Sequence, residues 1–415
     1  MKSLRLIVRV LVGLLFIFSG YVKVIDPVGS EIKFGEYFEA FHMHALVPGA
    51  LVFGILLAVA ELVMGICLLF GVKVKLISWA TLAFMVFFTV LTFILAVFNP
   101  VSDCGCFGDA VKLTNWETFY KNLIILLFAV FLVVQRNKYE LYLSDETEWL
   151  ILFVLVLYSA GISIYTYRYL PLIDFMAYKV GKNIQQGRSF PEDTSPAIYD
   201  NTFIYEKEGK REHFKIENLP DSTWTFIDTE SELIEEGYVP PMADFVIMEM
   251  NGDFITDEIL NSPGYTVFVT SVDLKDVNQE TAFELNRIYN YCLENKIQFI
   301  LLTGSVDEKI NSFLVRNKAE YPVCFMDQTV LKSMVRSNPG MMLVNNATIL
   351  KKWSGYNIPS VKQFEKIIKT NPDQLISDFS FKEKRDTAII AILLLGFLVT
   401  VRYFRIKEFI CPKRK

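Results

Sequence analysis

The sequence is poor in the residues that build most recognisable sites. It has three histidines and six cysteines in 415 residues. Thiols so few and so scattered exclude a small secreted scaffold stapled by disulfides. Only Cys104 and Cys106 stand close together, while Cys67, Cys292, Cys324 and Cys411 are isolated and read as core or membrane-tail thiols. A basic excess is also missing, since 41 Lys and Arg against 46 Asp and Glu leave a net charge of −5. Binding a phosphate backbone needs cations clustered on one face. Nucleic acid is therefore excluded as a partner.

Apolar residues are abundant, at 52% of the chain, and acidic and amide side chains gather in one central block, residues 183–384. A chain of this length has room for two or three domains. Crossing roughly 30 Å of hydrocarbon takes about 20 apolar residues in a helix. Six stretches meet or approach that length: residues 4–24, 47–70, 77–98, 119–134, 149–167 and 387–403. Lys2 and Arg5 ahead of the first look like the start of a signal peptide. No small-x-small cleavage pattern closes that run, so it is read as a retained helix. The expected partner of these spans is the lipid bilayer.

Lys and Arg beside a span favour the cytoplasm. Lys2, Arg5 and Arg9 put the N-terminus inside. Six crossings then put Lys73, Lys75, Arg136, Lys138 and the basic tail from Arg402 to Lys415 inside as well. The parity predicts a multi-pass protein of the cytoplasmic (inner) membrane. Its soluble block, Cys104 and Cys106 fall on the periplasmic side, where disulfides persist. Phe34, Tyr37, Phe38 and Phe41 recur at helical spacing with Glu36 and Glu39 between them, which predicts a short helix in the membrane interface.

The central block divides in turn. Apolar and polar residues alternate over 201–216 around Glu208-Gly209, a hairpin within a β-rich adapter expected over 183–240. Next come a hairpin from Asp244 to Met248 through Asn251-Gly252-Asp253 and an apolar strand at 265–270. A helix follows with Ala282, Leu285, Ile288, Tyr289, Cys292 and Leu293 on one face, then a strand at 298–303 and a helix at 307–316. Asn338-Pro339-Gly340 leads into strands at 341–344 and 348–353. That order is α/β. Over residues 241–359 it resembles the membrane-tethered, peroxiredoxin-related branch of the thioredoxin-like fold, and the domain is expected over 241–380. The resemblance implies that Pro339 follows a cis peptide bond beside the active site. Where a thioredoxin carries its CxxC, this chain reads Ser271-Val272-Asp273-Leu274-Lys275. Without a thiolate there is no nucleophile for disulfide exchange, so the domain is expected to bind or position a partner.

The strongest local feature is Asp103-Cys104-Gly105-Cys106-Phe107-Gly108. Two thiols either side of one Gly can close a small, strained disulfide that is readily reduced; the alternatives are an inert disulfide or two unpaired thiols. Around this run, Phe18-Ser19-Gly20, Lys23, Asp26-Pro27, Glu61, Gly65, Gly71, Thr114 and Asn122 resemble the DoxX and MauE group of four-helix membrane proteins over residues 4–135. The resemblance implies a four-helix membrane domain over 1–138 and a role in periplasmic thiol redox, MauE being associated with disulfide formation during methylamine dehydrogenase maturation. A fifth span at 149–169, the soluble block and the sixth span at 387–403 are additions to that pattern. The fused architecture is similar to DoxX-family proteins of Bacteroidetes. The expected fold class is a multi-pass α-helical membrane bundle plus an α/β thioredoxin-like soluble domain.

Glu61 lies mid-span, where an ionisable group costs about 2.5–3.5 kcal/mol on insertion scales. It reads either as a proton relay or as a protonated carboxyl bonded between helices, and the sequence identifies no partner for it. His42 and His44 with the two thiols could form a tetrahedral zinc or copper site, but histidines without a ligand are the simpler reading and no metal is expected. The leading functional expectation is periplasmic thiol–disulfide exchange, with Cys104, Cys106 and Glu61 as site residues, a protein client and a membrane quinone as electron carrier. The alternative is a non-enzymatic scaffold whose thioredoxin-like domain binds a partner.

Overall fold

The computed structural model describes residues 2–101, 103–139, 144–191, 194–195, 198–207, 210–220, 223–235 and 237–410. Long helices build its first part: α1 (Lys2–Ile25), the shorter α2 (Pro27–Ala40), α3 (Ala50–Phe70), α4 (Val74–Phe98), α5 (Asn115–Gln135) and α6 (Asp145–Tyr169). Among the described residues, five helices are long and apolar enough to cross a membrane: α1, α3 with the turn from His44 before it, α4, α5 and α6. Each coincides with an expected span. Phe87, Leu127 and Val134 on the outside of the bundle are more than three-fifths exposed, as suits side chains that face lipid. The chain is a multi-pass membrane protein.

Local sequence sets the ends of these helices. Asp26 caps α2 by accepting from Gly29 N at 3.0 Å, with Pro27 at the first helical position. Thr114 and Glu117 form a capping box that opens α5. The expected interfacial helix is α2, with Phe34 and Phe38 packed on Phe53 of α3. The tightest helix crossing is between α1 and α3. A Cβ on Gly20 would lie 2.4 Å from Leu62 N, so only glycine permits this approach.

The soluble part begins with α7 (Ile184–Arg188) and an antiparallel sheet of β1 (Ile198–Lys207), β2 (Lys210–Lys215) and β3 (Thr225–Glu235), in the order β2-β1-β3. The expected hairpin is β1 and β2; its tip, Glu208-Gly209, lies outside the described residues. β3 adds to the free edge of β1 and was not foreseen. There follow β4 (Met248–Glu249), α8 (Thr256–Asn261), β5 (Tyr265–Ser271), α9 (Gln279–Glu294), β6 (Gln298–Thr303), α10 (Asp307–Asn317), β7 (Val323–Phe325), α11 (Gln328–Met334), β8 (Gly340–Asn345), β9 (Thr348–Ser354), α12 (Val361–Ile368) and α13 (Pro372–Ile410). The sheet order is β4-β7-β6-β5-β8-β9. β5, β6 and β7 run parallel, and β8 returns antiparallel to β5 after a cis Asn338–Pro339 bond. This is the thioredoxin-like arrangement.

The structure departs from expectation in detail. Residues 244–248 form no long strand: β4 has two residues, and Ile247 N donates to Thr256 Oγ1 at 2.8 Å instead of to a ladder. Leu293 is exposed, because Ala282, Leu285, Ile288 and Cys292 fill the buried stripe of α9 and the next residue falls about 100° away. Ile184, placed by sequence in the adapter, is wholly buried in the α/β core, and its N–H donates to Ala347 O at 2.8 Å. Residues 387–403, where a sixth span is expected, form the end of α13, whose 39 residues extend roughly 58 Å at 1.5 Å per residue and which is not among those five helices. Phe397 there packs against the bundle core. Several neighbouring side chains, and Cys411, lie outside the described residues.

Replacing Gly20 by Val should drive α1 from α3 and destabilise the detergent-solubilised protein by about 1–3 kcal/mol. Thermal unfolding measures this; an unchanged melting temperature would contradict the close crossing.

Candidate functional site

The loop between α4 and α5 lies on the side of the bundle to which the soluble domain attaches. Gly105 turns it with φ +62°, and Asp103 Oδ1 accepts from Gly105 N at 2.9 Å. The turn brings Cys104 Sγ and Cys106 Sγ to 2.6 Å, as thiols. Neighbouring helices hold each cysteine by its carbonyl. Tyr37 of α2 donates its hydroxyl to Cys104 O at 2.5 Å, and Ser19 of α1 donates to Cys106 O at 2.7 Å. Lys33 of α2 anchors Asp103 at 3.1 Å. The interfacial helix thus fixes one cysteine and the first span the other.

Beneath Cys106 lies a buried ion pair. Lys23 Nζ stands 2.6 Å from Glu61 Oε2, with side-chain exposures of 10% and 8%. Lys23 also donates to Ser19 Oγ at 3.0 Å, and Ser19 Oγ lies 3.1 Å from Glu61 Oε1. A serine has one hydroxyl proton, so Ser19 serves either Glu61 or the Cys106 carbonyl at a given moment. Sequence reasoning found Glu61 but not its partner. The available signal was the i, i+4 spacing of Ser19 and Lys23, which puts both on one face of α1.

This environment splits the two thiols. The contact with Cys104, with Lys121 and Lys23 nearby, lowers Cys106 from the ordinary range near 9 to about 6, against the opposing effect of burial. The same contact, with burial, pushes Cys104 well up. The first proton to leave the pair therefore leaves Cys106. Lys121 Nζ also sits 4.2 Å from the Phe107 ring centroid.

The cysteines and the ion pair share a cavity of 340 Å³. Its walls come from α1 to α5 and are mostly apolar, and Thr329, Ser333 and Arg336 of the soluble domain line it as well. Arg336 is 5% exposed and joins the domains: its Nε stands 3.2 Å from Asp26 and its Nη2 2.7 Å from Asp109, three residues after Cys106. Lys352 and Asp174, 2.7 Å apart, make a second tie.

The soluble domain itself has no exposed thiol where a thioredoxin has its CxxC. Asn338 closes that position, accepting from Ser271 Oγ at 2.8 Å and from Val272 N at 3.0 Å. Burial pushes Cys292 up to about 12 and Cys324 up to about 11. His42 and His44 have ring centroids 6.2 Å apart. Among the described residues, no group of three or more His, Cys, Asp or Glu is placed to hold a metal ion.

Fold and site together define a membrane helix bundle with a dithiol loop, joined to a thioredoxin-like domain that lacks thiols at the usual position. Residues 1–135 match the family described as methylamine utilisation protein MauE, and residues 199–236, the β1–β3 sheet, match a domain of unknown function, DUF8463. Two similar solved structures are a Bacteroides thetaiotaomicron protein described as a candidate protein disulfide isomerase and StoA from Bacillus subtilis. The first is 18% identical with a TM-score of 0.25, covering 30% of this chain and 82% of that one. StoA is 14% identical with a TM-score of 0.24, covering 29% and 93%. No curated protein matches the sequence.

The thiol asymmetry has a pH signature. In the reduced protein, iodoacetamide modification of Cys106 should rise as pH passes through about 6 and level off above it, because the thiolate is the reactive form. Cys104→Ala removes the contact between the two thiols and should move that rise toward the ordinary thiol range. Peptide mass spectrometry across pH reads both curves; coincident curves would contradict the asymmetry.

Proposed function

We propose that this protein is a membrane thiol–disulfide oxidoreductase whose Cys104–Cys106 pair exchanges a disulfide with an exported protein on the periplasmic face of the inner membrane. The observation that carries the reading is the adjacency of two thiols, one of them acidified, at a cavity roofed by a thioredoxin-like domain. The lysines flanking the bundle support the sidedness.

In the oxidised protein, a client thiolate attacks Cys104 Sγ. The Cys104–Cys106 bond breaks and Cys106 leaves as a thiolate facing Lys121 and Lys23; the lower its pKa, the faster it leaves. The client's second thiolate displaces Cys104, which takes up a proton. The client has then lost two electrons, its two thiol protons having gone to solvent, and the pair has gained the two electrons and, at Cys104, one proton. The thioredoxin-like domain, which has no nucleophile in its usual place, holds the client over the loop.

A Cys106→Ser variant should accumulate a mixed disulfide between Cys104 and an exported protein, visible on non-reducing gels. Cys104→Ser should accumulate far less. If neither variant traps an adduct and the double Ser variant retains full function, the protein is a scaffold and the exchange reading fails.

A further inference from the structure

The reduced pair must pass two electrons onward, and the cavity below it indicates where. We propose that this cavity is a binding site for a lipid-soluble quinone, with its ring against the aromatic residues of α4 that line the cavity and a carbonyl oxygen toward Lys23; the electron-transfer part rests on the thiol-exchange reading above.

Its volume of 340 Å³ lies within the usual range for small-ligand sites, about 300–1,000 Å³. It reaches from the cysteines to Glu61, in the middle of a membrane-spanning helix, and so extends into the depth of the bundle that an apolar ligand of the bilayer would occupy. Its lining is mostly apolar, with Phe84, Phe88, Leu57 and Leu91 among the side chains on it, and charged side chains gather toward the cysteine loop and the soluble domain. Lys23 has three N–H donors. Two are used, on Ser19 and Glu61, which leaves one on a residue that lines the cavity. A flat apolar ring bearing hydrogen-bond-accepting carbonyls fits these features. When bound, such a group supplies an acceptor for two electrons and two protons that diffuses within the bilayer.

The chain's own residues account for the balance. Cys104 and Cys106 form their Sγ–Sγ bond and give up two electrons. One proton comes from Cys104. The Cys106 proton has already left to solvent, so the second is delivered by the Lys23–Glu61 pair and replaced from water on the side of the cysteine loop. The two electrons and two protons that leave the chain are those that reduction of a bound quinone to a hydroquinone would take up. Ser19, in contact with both the Cys106 carbonyl and Glu61, orients the pair beneath the sulfurs.

The test uses full-length protein in lipid nanodiscs with decylubiquinone as probe. Equilibrium binding is measured on the oxidised wild type and on the Cys104→Ser/Cys106→Ser double variant, neither of which can turn over. Both should bind saturably. Leu91→Trp, which fills the slot, should weaken binding about tenfold or more, and Lys23→Met should also weaken it. Anaerobic addition of the probe to reduced wild type should consume two thiols per quinone. Absence of saturable binding to wild type, or equal binding by a folded Leu91→Trp protein, overturns the site. Saturable binding that leaves the thiols reduced upholds the site and overturns the electron transfer, whereas failure of the thiol-exchange reading shows separately as absence of the trapped mixed disulfide, so the two failures are distinguishable.

Discussion

The ion pair between Lys23 and Glu61 is the constraint around which the membrane domain is arranged. Two charges can lie in an apolar bundle only if they meet each other and their remaining donors and acceptors are used. Meeting requires α1 and α3 to approach closely, which Gly20 and Gly65 permit. Once the helices are that close, Ser19 comes into contact with Glu61 and with the carbonyl of Cys106. The polar cluster therefore does two things: it neutralises itself, and it anchors one end of the dithiol turn. The other end is anchored from the interface, by Tyr37 and Lys33 of α2.

The soluble domain is attached at the same place. Arg336, a few residues before the cis proline, reaches into the membrane domain and binds Asp26, the cap of α2, and Asp109, which follows the cysteine turn. One guanidinium thus ties together the interfacial helix, the cysteine loop and the thioredoxin-like domain, a geometry that a forked donor provides and a single ammonium does not. In a thioredoxin, the edge near the cis proline carries the thiols. Here that edge is closed by Asn338, and the neighbouring α11 roofs thiols supplied by another part of the chain.

Much of this was legible in the sequence, because long apolar runs, capping residues and alternating strands report on local physics. The five spans, the short helix α2 and the β5–α9–β6 core follow from such signals, while the cis bond before Pro339 was implied by the resemblance to the thioredoxin-like fold. The proximity of Cys104 and Cys106 was legible for the same reason. What the sequence hid is long-range. Lys23 lies in the last turn of its helix, where a basic residue is ordinary, and nothing in α1 alone says that α3 brings Glu61 against it. Arg336 lies 310 residues from Asp26 in the chain, and their pairing depends on docking between domains. The short β4 and the exposed Leu293 were misread because periodicity does not reveal that a threonine hydroxyl will replace a ladder bond, or where a buried stripe ends.

The most direct test of this account is a double-mutant cycle on the buried pair. Unfolding free energies of the wild type, Lys23→Met, Glu61→Gln and the double variant would be measured in one detergent. The account predicts that each single change is costly, on the order of 3–5 kcal/mol where it leaves its partner charged and buried, and that the double variant is clearly less destabilised than the sum of the two. Additive losses would mean that Lys23 and Glu61 do not interact, and the arrangement of the site around them would be wrong.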